Sequence, residues 1–361
     1  MRPEQLQTPT LLIDLDAVRH NVATMKHYLD GDWRRWRPHV KTCKVAEVLE
    51  LLLEAGVRRF KVATTRECEL LVEVAGKRPI DVLFAQAQHG ANLERLAAIA
   101  QSHARHAFAL LSEDAAHAAD VAARRLGVFV DLDPGFHRSG VPLRDRERAL
   151  AVVEAAGDAL RGLHCYEGHL HDGTALERTA AARAIFAELV ALARSLPRCG
   201  ELVTSGTPTF TAALAYEPLR QFDHTVSPGT VVYWDARSAE LGVEGFACAV
   251  QVQARVIAAP AADRVTLDAG SKALDAASGD PCAVALGAFH LRALHPSEEH
   301  LPMVVERGPA PPLGALLRLL PRHVCPTVNL ADEAGLIEGG ELRAVVPVRG
   351  RGHETLPQPQ R

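Results

Sequence analysis

The 361-residue chain is long enough for one large domain and a smaller second one. Hydrophobic residues make up 48% and charged residues 23%, and the formal net charge is −4, so no basic field favours nucleic acid or an anionic membrane surface. No apolar run reaches the roughly 18 residues that a membrane span needs, and the first residues lack a signal-peptide core. Seven scattered cysteines, an odd number, do not form a disulfide framework. We therefore expect a cytoplasmic protein with reduced thiols.

Strands and helices alternate along the first two thirds of the sequence. Apolar strands are predicted at 8–16, 37–41, 60–63, 81–85, 107–111, 128–133, 160–166, 201–204 and 223–226, with helical periodicity between most of them. Such alternation implies a parallel sheet, and about eight repeats predict an α/β fold of the (β/α)8 TIM-barrel type. A doubly wound open sheet is the alternative.

The rhythm changes from about residue 236. The segments 246–257, 264–267, 303–305 and 342–348 alternate or run apolar, with proline and glycine instead of long helices between them. This pattern predicts a mostly antiparallel β domain. We assign the barrel to residues 14–235 and the β domain to residues 236–350, with residues 1–13 as a candidate additional strand.

The segment 36–44 (WRPHVKTCK) has an unusual charge pattern for a buried strand. Side chains alternate across a strand, so Arg37, His39 and Lys41 share one face. Three basic groups there are costly unless something anionic meets them. A lysine in such a site can become a nucleophilic amine. The alternative is a strand end whose cations lie in water.

The carboxyl ends of barrel strands carry the chemistry of this architecture. Those ends deliver Lys41, Arg138, Tyr166 and His169. Two small-residue turns, SGTPT at 205–209 and SPGT at 227–230, follow the last two strands, where barrels frequently bind phosphate. Either turn taken alone is also compatible with an ordinary loop.

A third feature is the His323-Val324-Cys325 segment. On a strand the imidazole and the thiol would point the same way, and zinc accepts nitrogen and sulfur ligands. The alternative is a buried cysteine beside a surface histidine. His164, His169, His171 and His300 are candidates for a third ligand.

Several segments together resemble a known enzyme family: TPTLLIDLDAVRHN, RPHVKTCK, DLDPGFHRSG, SGTPT, SPGT and RHVCPTVNL. They resemble the fold-type III pyridoxal-phosphate enzymes, and within them the D-threonine aldolase and D-serine dehydratase family with its alanine racemase-type barrel. The resemblance implies that Lys41 binds pyridoxal 5′-phosphate covalently. It implies that the other cofactor-binding residues are His39, Arg138, Tyr166, Ser205, Gly206, Thr207, Gly229 and Thr230.

The same resemblance implies a divalent metal, zinc or manganese, on His323 and Cys325. It also implies a lyase acting on D-3-hydroxy amino acids by retro-aldol cleavage to glycine and an aldehyde, with His169 or a metal-bound hydroxide as base. The alternative is D-serine dehydratase-like elimination to a 2-oxo acid and ammonia, which the His-x-Cys pair favours. An amino-acid racemase and a non-catalytic pyridoxal-phosphate-binding protein are further alternatives. The family implies a homodimer.

Overall fold

The computed structural model describes residues 2–355, which fall into two compact units. The β unit consists of the chain up to Thr24 together with Thr42–Val48 and Thr230–Gly352. The barrel unit consists of Met25–Lys41, Leu49–Gly229 and, at the end of the described chain, residues 353–355. No helix in the described part of the chain is long and apolar enough to cross a membrane.

The regular elements follow one another in the order below. The strands are β1 (Thr10–Asp14), β2 (Arg59–Val62), β3 (Asp81–Phe84), β4 (Ala107–Ser112), β5 (Gly127–Asp133), β6 (Val141–Pro142), β7 (Leu160–Cys165), β8 (Glu201–Thr204), β9 (Asp223–Val226), β10 (Val250–Ala261), β11 (Arg264–Leu267), β12 (Ala283–Ala285), β13 (Leu291–Ala293), β14 (Leu301–Val305), β15 (Leu316–Pro321), β16 (Glu333–Glu338) and β17 (Glu341–Pro347). The α-helices are α1 (Leu15–Tyr28), α2 (Ala46–Ala55), α3 (Thr65–Ala75), α4 (Gly90–Ser102), α5 (Ala115–Ala123), α6 (Arg146–Ala156), α7 (Ala175–Ser195), α8 (Phe210–Leu214), α9 (Ala236–Ala239) and α10 (Val324–Leu330).

The barrel unit contains a parallel sheet in the order β2-β3-β4-β5-β7-β8-β9. The segment 36–40 lies between its two edges. The Arg37 amide donates to the Val226 carbonyl (2.9 Å), and the Val40 amide donates to the Lys61 carbonyl (2.7 Å). This segment is thus the eighth strand and closes the ring, which confirms the predicted (β/α)8 barrel. The first predicted strand, 8–16, is not part of that ring, because β1 pairs with β10 and β16.

The barrel forms because its strands are apolar on both faces. Strands β4 and β5 are buried over nearly their whole length, as expected when helices cover a parallel sheet. Side chains from neighbouring strands fill the interior: Leu83, Ala109, Leu111, Phe129 and Val203. Several surrounding helices begin at side chains that accept a backbone N–H, namely Thr64, Asp114, Asp145 and Thr174.

The anionic groups that meet Arg37 are carboxylates of the chain itself. Its guanidinium is fully buried and donates to both oxygens of Glu201 (3.1 and 2.6 Å) and to Asp81 (3.0 Å). Glu201 and Asp81 are the first residues of β8 and β3. Arg37 is therefore neutralised at the amino ends of the strands, whereas Lys41 follows the carboxyl end of its own strand.

The β unit contains a nine-stranded sheet in the order β11-β14-β13-β12-β15-β10-β1-β16-β17. Because β10 also pairs with β11, six of these strands close into an antiparallel barrel, and β1, β16 and β17 extend from it. All pairings are antiparallel except that between β1 and β16. The predicted β domain is confirmed, although the sequence did not reveal β12, β13, β15 or β16.

Candidate active site

The predicted cofactor-binding residues of the barrel unit gather at one rim. Lys41 is solvent-exposed and directly follows the strand segment 36–40, and its amide donates to His39 Nδ1 (3.3 Å). Tyr166 directly follows β7, and the two small-residue turns follow β8 and β9. Because the strands are parallel, their carboxyl ends all lie at the same end of the barrel.

Hydrogen bonds join the two turns to each other, and the Glu167 carboxylate holds the SGTPT turn. The Ser227 amide donates to the carbonyls of Thr204 and Ser205, both at 3.0 Å. The buried Glu167 carboxylate accepts a hydrogen bond from the Thr209 hydroxyl (2.6 Å) and one from the Ser205 amide (3.4 Å), while burial raises the pKa of Glu167. The Ser227 hydroxyl is itself buried with no hydrogen-bond partner among the described residues. Two adjacent turns of small residues, with backbone amides and a hydroxyl that can donate hydrogen bonds, form a site that suits a phosphate.

Two glycines make room for the ring of Tyr166. A Cβ on Gly168 would lie 2.2 Å from this ring, and one on Gly206 would lie 3.0 Å from it. The Arg138 guanidinium lies over the Tyr166 ring, with its central carbon 5.0 Å from the ring centroid. The glycine of the SGTPT turn therefore serves the packing of Tyr166 as well as the openness of the turn.

His169 lies against an aromatic residue that the sequence analysis missed. Its imidazole stacks on Phe136, with centroids 5.6 Å apart, and Arg138 covers the same phenyl ring at 4.9 Å. His169 Nδ1 is buried and has no hydrogen-bond partner among the described residues. Phe136 lies within the DLDPGFHRSG segment, so its proximity to Arg138 in the chain was the available signal.

A buried network inside the barrel was also missed. The Lys61 ammonium or amine lies 2.9 Å from His164 Nε2, and His164 Nδ1 lies 2.7 Å from the Asp131 carboxylate. His164, a candidate third metal ligand, has both ring nitrogens engaged in this network. Lys61 lies between Phe60 and Val62 in β2, so its side chain is on the face of the strand opposite to theirs, and it is buried as they are.

The expected strand at His323-Val324-Cys325 is wrong. His323 is the extended residue that precedes α10, and Cys325 lies in the first turn of that helix. Pro326 is compatible with the first turn of a helix, and a tertiary contact supports the helix start, because the Asp235 carboxylate accepts the Val324 amide (3.0 Å). The imidazole and the thiol therefore meet at a helix start.

The surroundings of this pair fit a metal ligand pair. His323 Nδ1 lies 3.1 Å from the Ser278 hydroxyl, which in turn donates to Asp275. That contact leaves the other ring nitrogen for a metal, as is usual for ligating histidines. Although burial opposes it, the Cys325 thiol and nearby carboxylates raise the pKa of His323.

Two hydroxyls lie near the Cys325 sulfur within the β unit. The Thr42 hydroxyl is 3.1 Å from it and the Thr230 hydroxyl 3.6 Å. Thr230, expected at the cofactor phosphate, is thus a neighbour of the thiol. No group of three or more His, Cys, Asp or Glu side chains suited to a metal occurs within residues 2–355, so a third protein ligand is not found there.

Comparison with known proteins agrees with this architecture. Residues 13–237 match the family model described as alanine racemase, N-terminal domain. The chain belongs to the alanine racemase N-terminal domain family. This membership confirms the pyridoxal-phosphate enzyme family that the sequence motifs indicated. Residues 249–337 match a second model, the putative serine dehydratase domain, which includes His323 and Cys325.

Individual proteins resemble the chain along nearly its whole length. A D-threonine aldolase from Arthrobacter sp. is 29% identical, covering 96% of this chain and 93% of the relative. A D-threo-3-hydroxyaspartate dehydratase from Delftia sp. (strain HT23) is also 29% identical, covering 89% and 92%. The crystal structure of D-threonine aldolase from Filomicrobium marinum superposes with a TM-score of 0.85 at 27% identity, covering 97% of both chains.

Proposed function

We propose that the protein is a pyridoxal-phosphate- and metal-dependent lyase that cleaves D-3-hydroxy amino acids to glycine and an aldehyde. The observation that carries this proposal is the placement of an exposed Lys41 on the rim that also bears the two small-residue turns. The named relatives above act as aldolase or dehydratase on substrates of this class. A homodimer in the cytoplasm is part of the proposal.

The residues of the rim fit the cofactor. Lys41 would hold it covalently, and the joined turns at Gly206, Thr207 and Gly229 would hold its phosphate through backbone amides. The orphaned Ser227 hydroxyl of the second turn is a further donor in that site. When bound, pyridoxal phosphate supplies an electron sink for the bond that breaks at Cα.

The ring of the cofactor would be held by aromatic and cationic side chains. Tyr166 presents its ring between two glycines, and Arg138 lies over that ring at 5.0 Å. His39, whose Nδ1 accepts the Lys41 amide, fixes the turn that carries the lysine. These contacts orient the site before the cofactor arrives, which reduces the ordering cost of binding.

A divalent metal would be held by His323 and Cys325. Zinc suits a nitrogen and a sulfur ligand. When bound, the metal would supply a Lewis acid for the hydroxyl of a substrate. Ser278 and Asp275 fix the imidazole so that the ligating nitrogen has one orientation.

His169 is the proposed general base. It would remove the proton of the β-hydroxyl, which leads to the aldehyde product. Its stacking on Phe136 fixes the ring plane, and Nδ1 has no competing partner among the described residues. A base must be oriented and have a free lone pair before its proton affinity matters.

The second candidate is a dehydratase that forms a 2-oxo acid and ammonia. The observation that favours it is the serine dehydratase-type match over 249–337, the segment with His323 and Cys325. In that reaction Lys41 would take the Cα proton while hydroxide leaves.

One experiment separates the two candidates. The holoprotein, supplied with zinc or manganese, is incubated with D-threonine, D-serine and D-threo-3-hydroxyaspartate, and with each L-enantiomer as control. Glycine plus an aldehyde is the expected product, and a 2-oxo acid with ammonia would select the dehydratase. Lys41→Ala should abolish both reactions and the absorbance of bound cofactor. Turnover of none of the D-substrates would refute the lyase.

A further inference from the structure

Lys61 is a buried amine that the proposed mechanism does not use. It lies on β2, is 4% exposed, and its Nζ is 2.9 Å from His164 Nε2 on β7. His164 Nδ1 is 2.7 Å from Asp131 on β5, and the second Asp131 oxygen accepts the Ser139 hydroxyl (2.8 Å). Side chains of three strands thus form one continuous chain of hydrogen bonds across the barrel interior.

The contacts of this chain fix where its protons lie. Although burial opposes it, the hydrogen bonds from His164 and Ser139 hold the pKa of Asp131 below its ordinary value, so Asp131 is ionised. Burial and the charge of Lys61 lower the pKa of His164 to about 4, so the imidazole is neutral at pH 7. Its one proton is on Nδ1, facing the carboxylate, and Nε2 therefore accepts from Lys61.

Lys61 is the member of this chain that titrates near neutrality. Burial and the neighbouring charge of Lys41 lower the pKa of Lys61 to about 7, with Arg37 and Arg138 acting in the same direction and Asp131 against it. His164, which is neutral at pH 7, and the ring of Tyr166, whose centroid is 5.8 Å from the Lys61 nitrogen, also lie against it.

The backbone places Lys61 beside the cofactor lysine. Its amide donates to the Pro38 carbonyl (2.9 Å), and its own carbonyl accepts the Val40 amide, one residue before Lys41. The Lys61 ammonium and the Arg138 guanidinium both lie close to the Tyr166 ring, at 5.8 and 5.0 Å from its centroid. A group bound between Lys41 and Tyr166 therefore lies within the electrostatic reach of Lys61.

We propose that Lys61 takes up a proton when pyridoxal phosphate binds, and that the resulting ammonium positions the anionic cofactor beside Lys41. This inference rests on the proposed function as far as the cofactor is concerned, but not on the reaction. The solvent supplies the proton and the Lys61 lone pair accepts it. A nearby anion favours the charged form of an amine, so binding raises the pKa of Lys61 and is itself favoured by protons.

The sign of the linkage gives a specific pH dependence. Below about pH 7 Lys61 is already charged in the free protein, so affinity does not vary with pH through this group. Between that value and the higher pKa in the complex, affinity falls as pH rises. A rise of one pKa unit corresponds to a tenfold change in affinity, by the general relation between pKa shift and free energy.

The test is calorimetric titration of the cofactor-free full-length protein with pyridoxal 5′-phosphate. At pH 7.5, tertiary-amine and sulfonate buffers of different ionisation enthalpy report the protons taken up. The wild type should take up about half a proton more than Lys61→Met, since a shift of roughly one unit from a pKa of about 7 adds about that much protonation. Lys44→Met, a buried lysine of the β unit, is the matched control and should equal the wild type.

Affinity measured against pH gives an independent readout. Lys61→Met should bind the cofactor about tenfold more weakly than the wild type at pH 6.5 and equally at pH 9. Lys61→Arg, always charged, should restore affinity and remove the pH dependence, which a merely structural lysine would not predict.

The failures of the two proposals are distinguishable. Equal proton uptake by the wild type and Lys61→Met, with binding intact, overturns the role of Lys61. If Lys61→Met does not fold, a wild-type affinity that is constant between pH 6.5 and 9 overturns it. A protein that takes up the proton but turns over no D-3-hydroxy amino acid refutes the proposed reaction alone.

Discussion

Replacing Arg37 by methionine should destabilise the barrel strongly. The guanidinium is fully buried and donates to both oxygens of Glu201. Asp81 would keep its bond to Arg161 (2.5 Å) after the substitution. Among residues 2–355, Glu201 would keep the Thr225 hydroxyl (2.6 Å) and Arg59 at 3.7 Å as its side-chain partners. An inadequately paired carboxylate would then remain buried.

Removing one partner of a buried ion pair costs about 3–5 kcal/mol, because the other charge stays out of water. We expect Arg37→Met to lower the free energy of unfolding by about 3 kcal/mol, the lower end, since Glu201 keeps two contacts. Urea unfolding followed by the fluorescence of Trp33 and Trp36, both in the barrel unit, measures this change. Adding Glu201→Gln should recover part of the loss.

The control for this substitution is a pair on the surface. Arg144 and Glu188 are both exposed at a separation of 2.6 Å, so Arg144→Met should leave the unfolding transition unchanged. A loss of less than about 1 kcal/mol for Arg37→Met would refute the reasoning, since it would mean that water reaches Glu201.

Three further substitutions test the rim, the metal pair and the interior chain. Gly168→Ala places a methyl 2.2 Å from the Tyr166 ring, and overpacking of about 1–3 kcal/mol should weaken cofactor binding roughly 5- to 150-fold in an absorbance titration; unchanged affinity would contradict the packing role. Cys325→Ser should lower the zinc content measured by atomic absorption after dialysis, whereas a wild type that retains no metal would contradict the ligand pair. Asp131 has a depressed pKa, so its contribution to stability is present above the unfolded value of about 4 and lost as pH falls through the folded value. Asp131→Asn should accordingly flatten the loss of stability on acidification, and parallel curves for the two proteins would argue against that contribution.

The barrel was predictable because its signal is local. Each strand is an apolar run followed by an amphipathic helix, and this repetition specifies a parallel sheet without knowledge of distant contacts. The β unit was harder to predict. Strands β12 and β13 have three residues each, and β16 pairs with β1, more than 300 residues earlier in the chain. A strand of three residues is too short to show a clear alternation of apolar and polar residues, and a distant partner leaves no mark on the local sequence.

The rim residues were found where a strand end coincides with a recognisable motif. Lys41, Tyr166 and the two turns follow strands whose ends the sequence marks clearly. The conformation at His323 was predicted wrongly because two residues of alternation do not distinguish a strand from the first turn of a helix. The accepting carboxylate, Asp235, is far away in sequence.

The sequence by itself determined the fold class, the family and the lysine on which the proposed chemistry rests, since each of these depends on local pattern and on residue identity. Only the tertiary structure decided which charges meet. It paired Arg37 with Glu201 and joined Lys61 to His164, because the register of eight strands around a closed barrel brings together residues that are more than 100 positions apart. Arg37 and Lys41 therefore lie at opposite ends of the barrel, although they belong to one short segment. Arg37 is neutralised at one end, and Lys41 is exposed at the other.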